Sequence, residues 1–325
     1  MRASSRWAPW QHDDANRLAR PCASESPREM TQSSTPAVSI GMPTYNSAAT
    51  LRASVESLLA QTFTDFELVI SDNASTDGTW GLIEEFAARD PRVRAFRQPQ
   101  NIGANGNYSA VFRASRGRYF KWASSNDWCA ADLLMRCVEL LEADPRIVLV
   151  ASRTRLFETS IDQFTDYAGD IACMQDNPVD RFVHVGTHLA LNNAMNGMVR
   201  REALSRTRLI EHYPGADVVL IGHLALLGKM ALLDAPLFYR RMDSATATRM
   251  MSEAAVHHHH YPVRTWRSIL PSWRLAWGWA RVTLSADLCG ADTRRALGWA
   301  LRQTYWRRDQ LGRDLLDLLH RPRGS

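Results

Sequence analysis

Between Val38 and Val150 the chain alternates short apolar runs with stretches of helical period, and that alternation restricts the fold more than any other feature. The first run, Val38-Ser39-Ile40-Gly41-Met42, interleaves larger apolar residues with small ones, which suits a strand in a covered sheet. Pro43 stops its ladder, having no N–H to donate and disfavouring helix at the residue before it. Asn46 or Ser47 is then in place to cap a helix whose Leu51, Val55, Leu58 and Leu59 share one face. Further strands are predicted at Phe66–Ile70, Val93–Phe96, Tyr119–Ala123 and Ile147–Val150. Between them fall helices around Leu82–Phe86, from Asn101-Ile102-Gly103 to about Ser115, and over Asp132–Glu142. Strands alternating with helices of this length imply crossovers, hence an α/β fold with a mostly parallel central sheet and helices on its faces.

Past Val150 the pattern weakens. Residues 151–180 read as an excursion over the sheet, Phe182–Leu191 as helix and Asn196–Val199 as a strand, for which an antiparallel setting is open. Asp217–Leu227 reads as helix and Met230–Arg241 as a strand that Pro236 should split or confine to an edge. Four segments follow: a disordered leader 1–36, the α/β domain 37–250, a His-containing linker 251–260, and a helical appendage 261–325. The appendage holds six of the eleven tryptophans and twelve Arg against five Asp.

Composition removes several classes. There is no apolar run of about 18 residues to cross a membrane. The leader lacks the apolar core of a secretory signal. Five cysteines without metal or redox spacing read as free thiols, and the expected location is cytoplasmic. Only Lys121 and Lys229 are lysines among 39 basic residues, a bias that carries no function by itself.

In open α/β sheets ligands bind at the carboxyl edge of the strands, and Asp72 and Asp127 each follow a predicted strand. A carboxylate there can accept a hydrogen bond from a nucleobase or hold a hard cation together with phosphates. Taken singly, each also reads as an ordinary turn former.

Four ordered motifs add to this. Pro43-Thr44-Tyr45-Asn46, Phe66 through Ser71-Asp72-Asn73 to Thr79, Asn101-Ile102-Gly103, and Gly117-Arg118-Tyr119-Phe120 leading to Asn126-Asp127 together resemble the family-2 glycosyltransferases. The resemblance implies a GT-A (Rossmann-like) fold and transfer of a sugar from a nucleotide-diphosphate donor to an acceptor hydroxyl. It implies that Pro43, Thr44, Tyr45 and Asn46 line the nucleoside pocket and that Asp72 bonds the base. Asn101, Gly103 and Asn105 would lie near the ribose and sugar, and Asn126 near the donor. Asp127 would hold Mg²⁺ or Mn²⁺, and Asp217 would be the base of an inverting reaction. Where the family has Asp-x-Asp-Asp, this chain has Ser124-Ser125-Asn126-Asp127, so two of three acidic positions are neutral.

The alternatives stand beside these. Asp217 also suits a helix N-cap, and Glu211 and Asp243 are rival bases. Arg200-Arg201 and Arg240-Arg241 could meet phosphate, although solvated surface is the plainer reading. His184 and His188 lack a third ligand and read as packing or rim. His257–His260 reads as linker. For 261–325 the order of readings is packing on the catalytic domain or another subunit, then peripheral membrane contact, with nucleic acid a distant third. The expected partners are the nucleotide-sugar donor and a saccharide or lipid-linked acceptor in bacterial polysaccharide or glycolipid synthesis, with a homo-oligomer also open. A catalytically degenerate nucleotide-binding protein of the same fold is the second function class. A nucleotidyltransferase is the third, without the Gly-rich basic loop it would need after the first strand.

Overall fold

The structure is a computed structural model that describes residues 35–242 and 270–319. The leader up to residue 34, the linker 251–260 with its histidines, Cys22, Asp243 and Trp266 lie outside the described residues.

Strand β1 (Val38–Thr44) is buried along its whole length and has parallel neighbours on both sides: β2 (Phe66–Asp72) and β4 (Tyr119–Trp122). Beyond β2 lies β3 (Val93–Arg97), also parallel. The sheet continues past β4 through β8 (Met198–Arg200), which is antiparallel both to β4 and to β6 (Ile147–Phe157). Next comes β9 (Lys229–Arg241), parallel to β6, and β5 (Trp128–Cys129), antiparallel to β9. The order is β3-β2-β1-β4-β8-β6-β9-β5, with β7 (Phe164–Tyr167) paired antiparallel to β6.

Strand alternation decides what each face receives. Val38, Ile40 and Met42 point into one core with Leu51, Val55 and Leu58 of α1 (Leu51–Leu59), Ile83 of α2 (Thr79–Arg89) and Leu134 and Leu141 of α4 (Leu133–Ala143). Each such fully buried aliphatic side chain contributes about 1.5–3 kcal/mol. The intervening small residues face the other layer. A Cβ on Gly41 would lie 2.7 Å from the Phe120 ring, so the close approach needs glycine there.

That second core joins Phe120 and Trp122 to α3 (Ala104–Ala114), α5 (Pro178–His188) and α7 (Ala216–Leu227); the short α6 (Arg201–Ser205) packs at its border. Helix α7 is buried almost all round, as expected of a helix held between two layers. Its outer cover comes from α8 (Pro271–Ser285); α9 (Gly290–Trp306) packs on α5 and α8, and α10 (Arg308–Leu319) packs on α8. Phe182, Trp279 and Trp299 meet edge-to-face with ring centroids 5.1–5.2 Å apart, so the C-terminal helices belong to the second core.

Three local expectations are corrected. Thr50, not Asn46 or Ser47, is the N-cap of α1. Ser47 instead accepts the Thr50 and Leu51 N–H groups through its backbone carbonyl, and Asn46 adopts φ 47° and accepts the Thr76 N–H. Pro236 does not split its strand: it falls at a register shift against Arg153, and on the other side β5 reaches only Phe238 and Tyr239. Part of 151–180 is sheet: β6 runs on to Phe157 and returns as β7.

Candidate active site

The carboxyl ends of β1, β2 and β4 lie side by side. Thr44 and Asp72 are register partners, and Asn107 of α3 ties the two strand ends by donating to the Thr44 and Ser71 carbonyls at 3.3 and 2.9 Å. Asp72 is fully buried. Its Oδ2 is 3.0 Å from Arg97 Nε and accepts the Ser75 N–H at 3.1 Å, whereas its Oδ1 is buried with no partner. A buried carboxylate oxygen without a donor is costly, and here it marks a position where a ligand N–H would be welcome. Pro43 and Thr44 are buried beside it, while Tyr45 projects at 44 % exposure and Asn46 is exposed.

Asn101 and Asn105 serve the loop and its anchoring. Asn101 Oδ1 accepts from Asn73 Nδ2 and from the Gly103 N–H, both at 2.9 Å, folding the turn that opens α3. Gly103 sits at φ 79°, a conformation that favours glycine. Asn105 donates to the Glu211 carbonyl at 2.6 Å, fastening α3 to the 211–213 loop.

Asp127 lies in the loop between β4 and β5, directly before Trp128, and is only 8 % exposed. Its Oδ1 accepts the Arg241 N–H at 2.9 Å and its carbonyl accepts the Ser54 hydroxyl. Burial raises its pKa above the ordinary carboxylate value, opposed by the Arg241 N–H, Arg240, Ser124 and Lys121. Lys121 is itself buried, donating to the Asn196 and Trp122 carbonyls. A void of about 10 Å³ touches Ser57, Lys121, Ser124 and Asp127, roughly the room for one water or small cation. Asn126 offers its carbonyl to Arg241 Nε at 3.3 Å, and Ser125 donates to Ser47 on the first turn.

Across from Asp127 a second group converges. Asp217 stands in the first turn of α7, whose N-cap is Gly215, so the plain capping reading does not describe it. It accepts from Asn192 at 2.8 Å, and the next residue, Asn193, accepts from Arg240 at 2.7 Å. Tyr108 of α3 is near enough to feel Asp127, Arg240 and Asp217, and burial pushes its hydroxyl pKa up. Tyr108, Asn192 and Asn193 were not singled out by the sequence; a tyrosine on an apolar helix face and two asparagines in a loop carry no pattern. Strand alternation separates the paired arginines. Arg240 faces this group, while Arg241 lies over the Phe157 ring at 4.8 Å and donates to the Glu158 carbonyl.

Other candidates are committed elsewhere. Glu211 is ion-paired with Arg281 of α8. Arg200 donates to the Ile147 carbonyl of β6 and to Leu141 near the end of α4, and Arg201 to Ser115 at the end of α3, so both are held by backbone carbonyls. His184 and His188 stack at 4.4 Å, and no group of three His, Cys, Asp or Glu able to hold a metal occurs among the described residues. A larger cavity of about 300 Å³ lies between Pro214, Gly215, Val218, Trp279, Trp299 and Arg307; no predicted site residue lines it.

The mixed sheet, with Asp72 ending β2 and Asp127 in the loop after β4, has the architecture of a GT-A fold. The glycosyl transferase family 2 profile matches residues 39–205, more than half of the chain, and the chain belongs to that family. It is 31 % identical over 107 residues to the Escherichia coli UDP-Glc:alpha-D-GlcNAc-diphosphoundecaprenol beta-1,3-glucosyltransferase WfaP, covering 33 % of this chain and 42 % of that one. It is 26 % identical over 164 residues to a putative teichuronic acid biosynthesis glycosyltransferase, TuaG of Bacillus subtilis, covering 50 % of this chain and 59 % of that one. The matches to curated relatives span from 12 % to 59 % of those proteins' own length. Among solved structures, S. aureus TarS in complex with UDP superposes with a TM-score of 0.61 at 15 % identity, over 81 % of this chain and 70 % of that one. The Pyrobaculum calidifontis mannosyltransferase PcManGT, in complex with GDP-Man and Mn²⁺, does so with 0.54 at 16 % identity, over 90 % and 77 %. No helix among the described residues is long and apolar enough to cross a membrane.

Proposed function

We propose that this protein transfers a sugar from a nucleoside-diphosphate sugar to a hydroxyl of a saccharide, carried on a lipid, with inversion at the anomeric carbon. The observation that carries the reading is the unpartnered, buried Oδ1 of Asp72 at the end of β2, beside the exposed ring of Tyr45. A nucleobase N–H would complete that oxygen, and the ring would give the base an aromatic wall. UDP and GDP-Man in the two structural neighbours, and the lipid diphosphate in the WfaP name, support the donor and acceptor classes.

In the reaction the acceptor oxygen attacks the anomeric carbon as the bond to the diphosphate breaks, and the electron pair of that bond leaves on the nucleoside diphosphate. Asp217 takes the acceptor proton, and its hydrogen bond from Asn192 keeps the carboxylate oriented. The Arg240 guanidinium, held by Asn193, supplies positive charge toward the leaving diphosphate. The donor set fits a divalent cation in its least demanding form: Asp127 is one hard anionic ligand, and Mg²⁺ or Mn²⁺ can take its remaining positions from phosphate and water. When bound, such an ion stabilises the charge growing on the diphosphate.

A second reading, a nucleotide-binding protein that has lost turnover, draws on the isolation of Asp127 between Arg240 and Lys121. One experiment separates the two. UDP-, GDP- and dTDP-sugars are screened for thermal stabilisation with and without Mn²⁺, since a ligand of the native state at a hundred times its Kd stabilises by about 2.7 kcal/mol. The expected result is a shift with one nucleotide class that Mn²⁺ enlarges, and loss of the enlargement in Asp127→Ala. No shift from any donor would sink the donor site, and a shift indifferent to Mn²⁺ in native protein and Asp127→Ala alike would favour the second reading.

A further inference from the structure

The C-terminal helices have an outer face that core packing does not account for. Helices α8 and α9 lay Leu275, Trp279 and Val282 of one, and Ala296, Trp299 and Ala300 of the other, into the core shared with α5 and α7. Their opposite faces therefore look outward from one layer. On α8 that face holds Trp277 and Leu284, each 58 % exposed; on α9 it holds Leu301 at 68 % and Tyr305 at 63 %. Single exposed apolar residues are ordinary, but these four large side chains on one helical layer make a patch.

Charge narrows what the patch can meet. Arg294 and Arg302 fall on the same α9 face as Leu301 and Tyr305, and neither is ion-paired among the described residues, whereas Arg281 and Arg295 are neutralised by Glu211 and Asp180. The one acid of α9, Asp292, is bonded by Asn177 on the inner side. Asp287 and Asp309, the next acids along the chain, lie beyond the two ends of α9. A two-fold pairing of this face with its own copy would set arginine against arginine without an acid between them. An anionic lipid surface has the opposite requirement. Indole and phenol rings rest at its headgroup level, leucines enter the acyl boundary, and guanidinium groups meet phosphates.

We propose that the outer face of α8 and α9 docks this protein on an anionic membrane surface. The inference shares with the functional reading only the presence of a membrane. It is tested by lipid binding, which is read without sugar transfer, so its failure and that of the donor site are distinguishable.

The full chain is sedimented with vesicles of phosphatidylglycerol and, separately, of phosphatidylcholine. Strong binding to the first and weak binding to the second is expected, with blue-shifted, quencher-protected tryptophan fluorescence in the bound state. Arg294→Glu with Arg302→Glu should weaken partitioning at least about 25-fold, taking about fivefold for each arginine lost. Leu301→Glu with Tyr305→Glu should abolish it, and both double variants should melt as the native protein does because the altered side chains are exposed. Equal pelleting with both lipids, or unchanged binding of either double variant, overturns the proposal. So does a native dimer in solution that Leu301→Glu with Tyr305→Glu disperses, which would give the face to a second copy.

Discussion

Asp72→Asn tests the donor site at the level of single atoms. The two protein donors that reach Asp72, Arg97 Nε and the Ser75 N–H, both point at Oδ2. In the asparagine variant the carbonyl oxygen must take that position, because an amide NH₂ facing two donors would leave all three unsatisfied. The NH₂ is therefore driven into the place of Oδ1, the oxygen that has no protein partner. An acceptor aimed at the ligand becomes a donor aimed at it. Losing a hydrogen bond to a charged acceptor removes about 1.5–3 kcal/mol, and opposing two donors adds part of the cost of an unpaired polar group, so donor binding should weaken by about 2–4 kcal/mol. That is roughly a 30- to 1000-fold rise in Kd. The fold should lose far less, because Arg97 is 45 % exposed and its ion pair is screened, about 1 kcal/mol at most. Calorimetric titration with UDP and with GDP, beside a thermal melt of each protein, reads both quantities. Native-like nucleotide affinity in a folded Asp72→Asn would refute the assignment of Oδ1 to the base.

Asp217→Asn should lower kcat by about 10²–10⁴ and leave nucleotide affinity unchanged, as measured by transfer rates beside calorimetry; retained turnover removes Asp217 from the chemistry. Gly186→Ala should destabilise the fold by about 1–3 kcal/mol in urea melts, since its new Cβ would lie 2.1 Å from the Trp299 ring; a neutral result would mean that α9 does not press on α5. His223, buried in α7, has its pKa lowered from 6.5 to about 4, first by burial and then by Arg206. The folded state thus holds the neutral ring more firmly than the unfolded chain does. Its stabilising contribution is complete above pH 6.5 and fades as pH falls towards 4, by about 3 kcal/mol in all. His223→Leu should flatten the stability profile between those limits, and a profile parallel to native would discard the residue as the cause.

The parallel half of the sheet was legible because one run of sequence makes one strand there, and each strand is followed by the helix that covers it. Val38–Met42, Phe66–Ile70 and Tyr119–Ala123 carry their burial pattern in their own residues. The antiparallel half was harder to read because its strands are defined by partners far along the chain. The three-residue β8 gains its place by inserting between β4 and β6, and β6 extends to Phe157 only by pairing with β7 and β9. Pro236 misled for a related reason. A rule about ladder bonds does not know where the ladder is already broken.

The site divides along the same line. Asp72 ends a strand of the legible half and Asp127 sits in the loop that follows another, and a turn position at a sheet edge is visible in sequence. What surrounds them is assembled from distant segments: Arg97 reaches Asp72 from β3, Arg241 reaches Asp127 from the far end of β9, and Asn192 and Asn193 couple Asp217 to Arg240. This changes the meaning of the neutral residues at 124–126. Asp127 is the one acid of its loop, with two cationic side chains, Lys121 and Arg240, acting on it, and burial still dominates its pKa. The edge therefore brings cationic groups to Asp127 before any ligand arrives, which suits a diphosphate even with one acidic position where three are usual. The sequence displays the missing carboxylates in one contiguous motif, whereas the arginine that offsets them arrives more than a hundred residues later on another strand.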